Sequence, residues 1–333
     1  MPESNAQPAP RLHVAPAPHL SDRSLTTRRM MIDVLIGLAP VMGVAVYVFR
    51  WYAVKQVGVC VLSCLAAEAL FTAMRGRKAS LGDFSAVVTG AILAFSLPAT
   101  CPIHVSVVAS FVAIGLGKVV FGGLGGNIFN PAMVGRAFVM VAYAAPLAAG
   151  AYVDPDSSVH VLTRATPLTA AEAGKGVASL SDLFWGTTNG CVGETSAIAC
   201  LVGGLYLVLR RTASWELPVA ALASVAVIGG AVNLANPEAE WTVLHHLLGG
   251  ALMLGAFFII TDPVSTPLTR KGKLIFGAGF GASVMLIRTL SNYPEGVMYS
   301  VLLMNSVAPL INRWTIPAPL GGRTPAPAAE GAK

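Results

Sequence analysis

Two carboxylates stand at the ends of apolar segments, where an ionised side chain can help to move a cation. Glu194 opens one such segment and Asp262 follows another. Ionisable residues in or beside a membrane segment are costly to bury, so they are functional candidates by default. Each also has a structural alternative: Glu194 could lie in the first turn of a helix, where the dipole favours a negative charge, and Asp262 could form an Asp-Pro turn. Both are candidates for an ion pathway.

The run at 160–168 holds two hydroxyl side chains, Thr163 and Thr166, with Arg164 and Ala165 between them. Taken alone, this pattern is typical of a helix start. Thr166 would be the N-cap, and the proline that follows it would be the first helical residue.

Two glycine-rich runs, at 122–126 and 277–281, lie in or beside apolar segments. A dinucleotide-binding loop needs a preceding strand and a following helix, and neither is predicted here. We therefore favour close helix packing, or a bend that lines a cavity. Asn127 and Asn130, just after the first run, could offer polar groups to a cofactor or ion, and could equally cap the next helix.

The cysteines and histidines show no spacing typical of a metal site. The five cysteines form no CxxC pair, and the adjacent His245 and His246 have no metal-ligand spacing. The sequence therefore predicts neither a metal site nor a disulfide framework.

The composition is that of a polytopic membrane protein. Of the 333 residues, 55% are hydrophobic and 11% are charged, and the mean hydropathy is +0.68. About 25% charged residues would be typical of a soluble domain. The net charge of +6 is better explained by topology signals at the ends of spans than by nucleic-acid binding.

Ten apolar segments are predicted to be membrane helices. A helix rises about 1.5 Å per residue and the hydrocarbon layer is about 30 Å thick, so the shortest segment cannot cross alone and should be broken or re-entrant. The segments are 32–49, 54–74, 84–97, 103–121, 132–149, 195–209, 216–235, 244–260, 273–290 and 296–311.

The basic residues predict the orientation. With the N-terminus inside, 15 of the 22 lie on the inner side and five on the outer side, which favours cytoplasmic N- and C-termini. Lys118 lies near the inner end of its span, so we expect it to snorkel to the interface. The predicted organisation is a flexible tail at 1–30, a five-span unit at 31–149, an outer loop at 150–194, a second five-span unit at 195–314 and a tail at 315–333.

The two five-span units look related. Prolines four residues apart follow spans three and eight, at 98 and 102 and at 263 and 267, and glycine-rich runs follow at similar distances. Because each unit holds an odd number of spans, the second would be inverted, as in many transport folds, with broken helices near the midplane. The alternative is that these prolines and glycines only kink and pack helices.

Taken together, these patterns resemble the membrane-embedded D subunits of the Rnf ion-translocating electron-transport complexes and, more distantly, the B subunits of the Na+-translocating NADH:quinone reductases. The resemblance covers about 30–314. It rests on the stretches 122–132, 165–168, 193–197, 261–265 and 293–305, which occur in the family's order.

The resemblance implies an all-α fold similar to urea transporters, with ten transmembrane helices in two inverted repeats. It also implies an FMN joined through its phosphate to Thr166, which a separate flavin transferase must attach because a threonine hydroxyl is a weak nucleophile. Thr163 replaces the serine usual in the attachment motif, and Arg164 could pair with the phosphodiester charge. A second, non-covalent flavin is left open.

The function implied is that of one subunit of a redox-driven Na+ or H+ pump in the bacterial inner membrane. Partner subunits would oxidise ferredoxin and reduce NAD+, so the chain would not be a complete enzyme alone. The alternatives are a channel or secondary transporter without a redox role, and a structural membrane anchor.

Overall fold

The computed structural model describes residues 26–76, 81–147, 178–194, 196–237, 241–291 and 296–317. In these ranges the chain is helical and forms no β-strand; one isolated bridge joins Pro98 to Cys191. The all-α fold class is confirmed.

The first half of the chain begins with two long helices and continues with shorter ones. A π-helical turn, Gly115–Val119, extends the fourth helix, and a 3₁₀ turn, Leu81–Asp83, precedes the third. The helices are α1 (Thr27–Phe49), α2 (Trp51–Met74), α3 (Ser85–Ser96), α4 (Ile103–Ile114), α5 (Pro131–Ala142) and α6 (Ala144–Leu147).

The second half begins with a short helix and contains three long ones. A second π-helical turn, Gly255–Ile259, extends α11. The helices are α7 (Leu180–Trp185), α8 (Ala197–Leu209), α9 (Glu216–Ala235), α10 (Val243–Leu248), α11 (Leu252–Leu254), α12 (Arg270–Leu290) and α13 (Val297–Thr315).

Among the residues that the structure describes, four helices are long and apolar enough to cross a membrane, namely α1, α2, α9 and α12, and α3, α4, α5 and α8 are shorter apolar helices. The predicted segment 84–97 is confirmed as a short helix, which ends at Ser96.

The predicted segment 244–260 is not one helix. It divides after Leu248, and Gly250 has a φ of 71°, which favours glycine. The Arg288 guanidinium replaces the missing helical bonds, since it donates to the carbonyls of His246 at 2.7 Å and Gly249 at 2.9 Å.

The two glycine-rich runs have different structures. One packs closely against a neighbouring helix and the other forms a bend, and these are the two structures that the sequence favoured. In the second run, a Cβ at Gly277 would lie 2.6 Å from the Leu217 carbonyl oxygen, and one at Gly281 would collide with the Ala221 carbonyl oxygen. These contacts allow α12 to pack backbone to backbone on α9. In the first run, Gly122, Gly123 and Gly125 have positive φ angles and form a bend.

The contact between α9 and α12 predicts which glycines tolerate a methyl group. Gly281→Ala should lower the thermal unfolding midpoint of the detergent-solubilised protein by several degrees, because overpacking typically costs about 1–3 kcal/mol. Gly230→Ala on α9 is the control, since no atom lies within 4 Å of its Cβ position. Equal midpoints for the two variants would contradict this packing.

Candidate functional site

The chain leaves helical geometry between α3 and α4, a segment called the first break (97–102). Here the second half supplies hydrogen-bond donors: Gly193 N–H donates to the Phe95 carbonyl at 2.8 Å, and Val192 N–H donates to the Leu97 carbonyl at 3.1 Å. Carbonyls freed at membrane depth must find such partners inside the protein. The loop before α8 therefore completes the first break.

Glu194 belongs to this loop and is partly buried. Its Oε2 accepts a hydrogen bond from Cys191 N–H at 3.1 Å, and its own N–H donates to the Cys191 carbonyl at 3.0 Å. Ser196 is the N-cap of α8, so Glu194 precedes the helix. Its expected alternative place in the first helical turn is wrong, because Ser196 already caps that turn.

A cation lies near the same loop. Arg136 of α5 is only 4% exposed, and its guanidinium lies 3.7 Å from the Cys191 sulfur. Arg136 lies on α5, in the first half of the chain. Its buried positive charge therefore contacts the loop before α8 that also carries Glu194. Sequence reasoning did not select Arg136.

The second break (260–269), between the Gly255–Ile259 turn and α12, contains Asp262. Asp262 Oδ1 accepts from Val264 N–H at 3.1 Å, and Oδ2 accepts from the Ser265 hydroxyl at 3.0 Å. The Thr266 hydroxyl donates to the Asp262 carbonyl at 2.7 Å. Asp262 therefore holds a turn, as its structural alternative predicted, and it also faces a cavity.

Asn130 and Asn305 attach the second break to the neighbouring helices. Asn130 caps α5 through its side-chain oxygen, and its Nδ2 donates to the Ile259 carbonyl at 3.3 Å. Asn305 Oδ1 accepts from Asn130 N–H at 3.0 Å, while its Nδ2 donates to the Ser265 carbonyl at 3.1 Å. The expected capping role of Asn130 is confirmed, and the same amide bridges the two halves.

A cavity of about 80 Å³ lies against the second break and is named here the Asp262 cavity. Its volume admits a few water molecules. Asn127 Nδ2 donates to the Phe129 carbonyl at 3.1 Å. The structure thus brings Asn127, Asn130 and Asp262 to one cavity, whereas Glu194 lies at the other break. Polar side chains in its wall are Ser85, Thr89, Lys118, Asn127, Asn130, Thr212, Thr261 and Asp262.

Lys118 does not snorkel to an interface. Its Nζ donates to Glu68 Oε1 at 2.7 Å and to the Ser85 hydroxyl at 2.6 Å, and the side chains of Lys118 and Glu68 are each 2% exposed. The snorkelling prediction is wrong because a buried acid on α2 compensates the ammonium within the helix bundle. Glu68 was missed, since nothing in the local sequence indicates its partner 50 residues later.

The threonine run falls outside the described residues. Thr163, Arg164, Ala165 and Thr166 belong to 148–177, so their predicted role stays a prediction.

Comparison with known proteins identifies the family. Residues 13–321 match the family model described as the NQR2, RnfD, RnfE family. The chain belongs to this family. The resemblance to the D subunits of Rnf complexes is thereby confirmed.

Curated relatives of the NQR2, RnfD, RnfE family match most of the chain. The D subunit of the Na(+)-translocating ferredoxin:NAD(+) oxidoreductase complex of Acetobacterium woodii is 41% identical, covering 91% of this chain and 93% of the relative. The D subunit of the proton-translocating ferredoxin:NAD(+) oxidoreductase complex of Clostridium ljungdahlii is 35% identical, covering 93% and 96%. The D subunit of the ion-translocating oxidoreductase complex of Stutzerimonas stutzeri is 37% identical, covering 88% and 92%.

The bonds of Asn305 predict a cost for removing its amide. Asn305→Leu keeps the approximate size but leaves Asn130 N–H and the Ser265 carbonyl without this partner, at about 1–3 kcal/mol for each buried group. The thermal unfolding midpoint in detergent should fall clearly. The control is Ser306→Ala, whose exposed hydroxyl bonds only its own helix at Leu302; a similar midpoint in both variants would show that the Asn305 bridge contributes nothing.

Proposed function

We propose that this chain is the D subunit of an Rnf-type ion-translocating ferredoxin:NAD+ oxidoreductase complex. The observation that carries the proposal is the family match over nearly the whole chain, together with relatives named as D subunits of such complexes. One relative's name specifies sodium and another specifies protons, so the proposal covers Na+ or H+. Other subunits of the complex would be its partners.

In the proposed topology, ten spans form two inverted repeats in the bacterial inner membrane, similar to urea transporters, with both termini cytoplasmic. The 15 to 5 distribution of basic residues supports the orientation. The repeat is supported by two breaks at corresponding places, each of which takes hydrogen-bond donors from outside its own five-span unit. This topology places Glu194 toward the outside and Asp262 toward the inside.

The proposed cofactor is FMN, joined through its phosphate to Thr166 by a flavin transferase. The residues fit this group chemically, because Thr166 offers a hydroxyl for the phosphoester and Arg164 offers a cation for the phosphate charge. A tethered flavin would supply electron transfer, and the chain's own residues would orient it and exclude competing reactions.

A second, non-covalent flavin at Asn127 and Asn130 would require the Asp262 cavity to widen. The present volume of about 80 Å³ holds only a few waters. Asn130 already caps α5 and binds the Ile259 carbonyl, which leaves Asn127 as the freer of the two amides for a ligand.

Glu194 and Asp262 are proposed to form the two ends of the ion pathway. Both carboxylates lie at helix breaks, where backbone carbonyls are also concentrated, and such breaks form the ion sites of many transporters. Their hydrogen bonds to backbone and hydroxyl groups hold each carboxylate in a defined position.

The flavin proposal predicts the effect of removing one oxygen. Thr166→Val is nearly isosteric, so the complex should assemble while the chain loses its fluorescent band on a denaturing gel and its electron transfer. Thr163→Val is the matched control and should lower flavin occupancy without abolishing it. If the wild-type chain, produced with its transferase, carried no flavin by intact-mass measurement, the Thr166 assignment would fail and a non-redox channel or transporter would be favoured.

The pathway proposal predicts that neutral variants assemble but transport poorly. Glu194→Gln and Asp262→Asn keep the side-chain shape and remove the charge, so redox-coupled ion uptake into vesicles should fall by about tenfold or more. Glu216→Gln is a control, since that carboxylate pairs with Arg270 at 3.5 Å and does not line the Asp262 cavity. Normal uptake in both test variants would contradict the pathway proposal and would show that Glu194 and Asp262 have structural roles alone.

A further inference from the structure

A polar cluster outside both breaks joins α1 to the end of α8. The Asp33 carboxylate accepts hydrogen bonds from the Tyr206 hydroxyl at 3.2 Å, the Arg210 guanidinium at 3.4 Å and the Thr212 hydroxyl at 3.1 Å. Three donors on one carboxylate make a stronger contact than a surface ion pair. These four residues are called the Asp33 cluster.

The Asp33 cluster reaches from the wall of the Asp262 cavity to the protein surface. Thr212 lines the cavity, whereas the side chain of Arg210 is 41% exposed and that of Asp33 is 9% exposed. Met30 and Val34, on either side of Asp33 along α1, also line the cavity. Separating α1 from α8 at this cluster would therefore widen the cavity on the side that these two helices form.

One turn farther along α1, the backbones of the same two helices come into close contact at two glycines. A Cβ at Gly37 would lie 3.1 Å from the Gly203 carbonyl oxygen, and one at Gly203 would collide with the Gly37 carbonyl oxygen. Gly37 is four residues, or about 6 Å, from Asp33. This close contact leaves little freedom at the glycines, so any separation of the helices is expected at the Asp33 end.

We propose that the Asp33 cluster is a latch that holds together the α1–α8 wall of the Asp262 cavity, with the Gly37–Gly203 contact as its pivot. The proposal rests on the proposed topology and ion pathway, and it names Asp33 and Arg210 as the residues that control entry. With the latch intact, the space beside Asp262 admits a few waters; with α1 and α8 apart, a hydrated cation can pass between them to Asp262. Such a two-position contact between packed helices is a common way to gate a buried site.

The test measures entry into the cavity rather than transport. Val88 lies on α3 in the cavity wall, is not a member of the Asp33 cluster, and is 8% exposed. Val88→Cys, in a chain whose native cysteines are replaced, is treated with a charged methanethiosulfonate reagent in inside-out vesicles that contain the assembled complex. Adding Asp33→Asn should raise the labelling rate about tenfold, as expected for weakening a hydrogen-bonded ion pair.

Controls separate opening of the latch from general loosening. Glu216→Gln weakens the Glu216–Arg270 pair between α9 and α12, which does not line the cavity, and should leave labelling unchanged. Tyr206→Phe and Thr212→Val each remove one neutral donor and should raise labelling about two- to threefold, so they decide the question if Asp33→Asn does not assemble. The latch proposal is wrong if every assembled cluster variant is labelled at the rate of Val88→Cys alone. It is also wrong if Glu216→Gln raises the labelling rate as much as the cluster variants do. Because labelling reports neither flavin nor ion transport, failure of the latch is distinguishable from failure of the proposed function.

Discussion

Backbone groups that leave helical geometry inside a membrane protein need hydrogen-bond partners from the protein itself. This chain interrupts its helices at 97–102 and at 260–269, and at each of these interruptions the opposite half supplies donors. Val192 and Gly193 donate hydrogen bonds at the first break, and the Asn130 side chain donates one at the second. The halves therefore cannot separate without exposing unsatisfied carbonyls, which makes this exchange of hydrogen bonds the constraint on which the rest of the structure depends.

The candidate sites follow from that constraint. The loop that completes the first break carries Glu194, and the turn within the second break is held by Asp262. Each carboxylate thus has both a structural and a proposed functional role, and the two are compatible because ordering a carboxylate is also what an ion site requires. At the first break, Gly193 allows the close approach, because a Cβ there would lie 2.6 Å from the Phe95 Cβ.

The sequence predicts local features well and distant pairings poorly. Proline spacing indicated the breaks, and glycine runs indicated close packing and a bend, because each depends on the backbone preferences of a few neighbouring residues. The Glu68–Lys118 pair and the Asp33 cluster were missed, since the acid in each is separated from its partners by 50 residues or more in the chain. Snorkelling was predicted for Lys118 from its position near the end of a span. That position indicates how deep the residue lies in the membrane, but it does not indicate which side chain faces it. The threonine run was selected only through family resemblance, as its residue pattern alone is that of an ordinary helix start.

Hydrogen–deuterium exchange resolved to single amides reports whether the hydrogen bonds at the breaks are closed. Val192, Gly193 and Asn130 lie outside helices, but the N–H groups of Val192 and Gly193 donate to carbonyls at the first break and that of Asn130 donates to Asn305. We predict that these three amides exchange as slowly as those inside α9 and α12, and far more slowly than Gly125 in the glycine bend. Exchange of Val192 and Gly193 at the rate of Gly125 would contradict the exchange of hydrogen bonds between the halves, because the loop before α8 would then not close the first break.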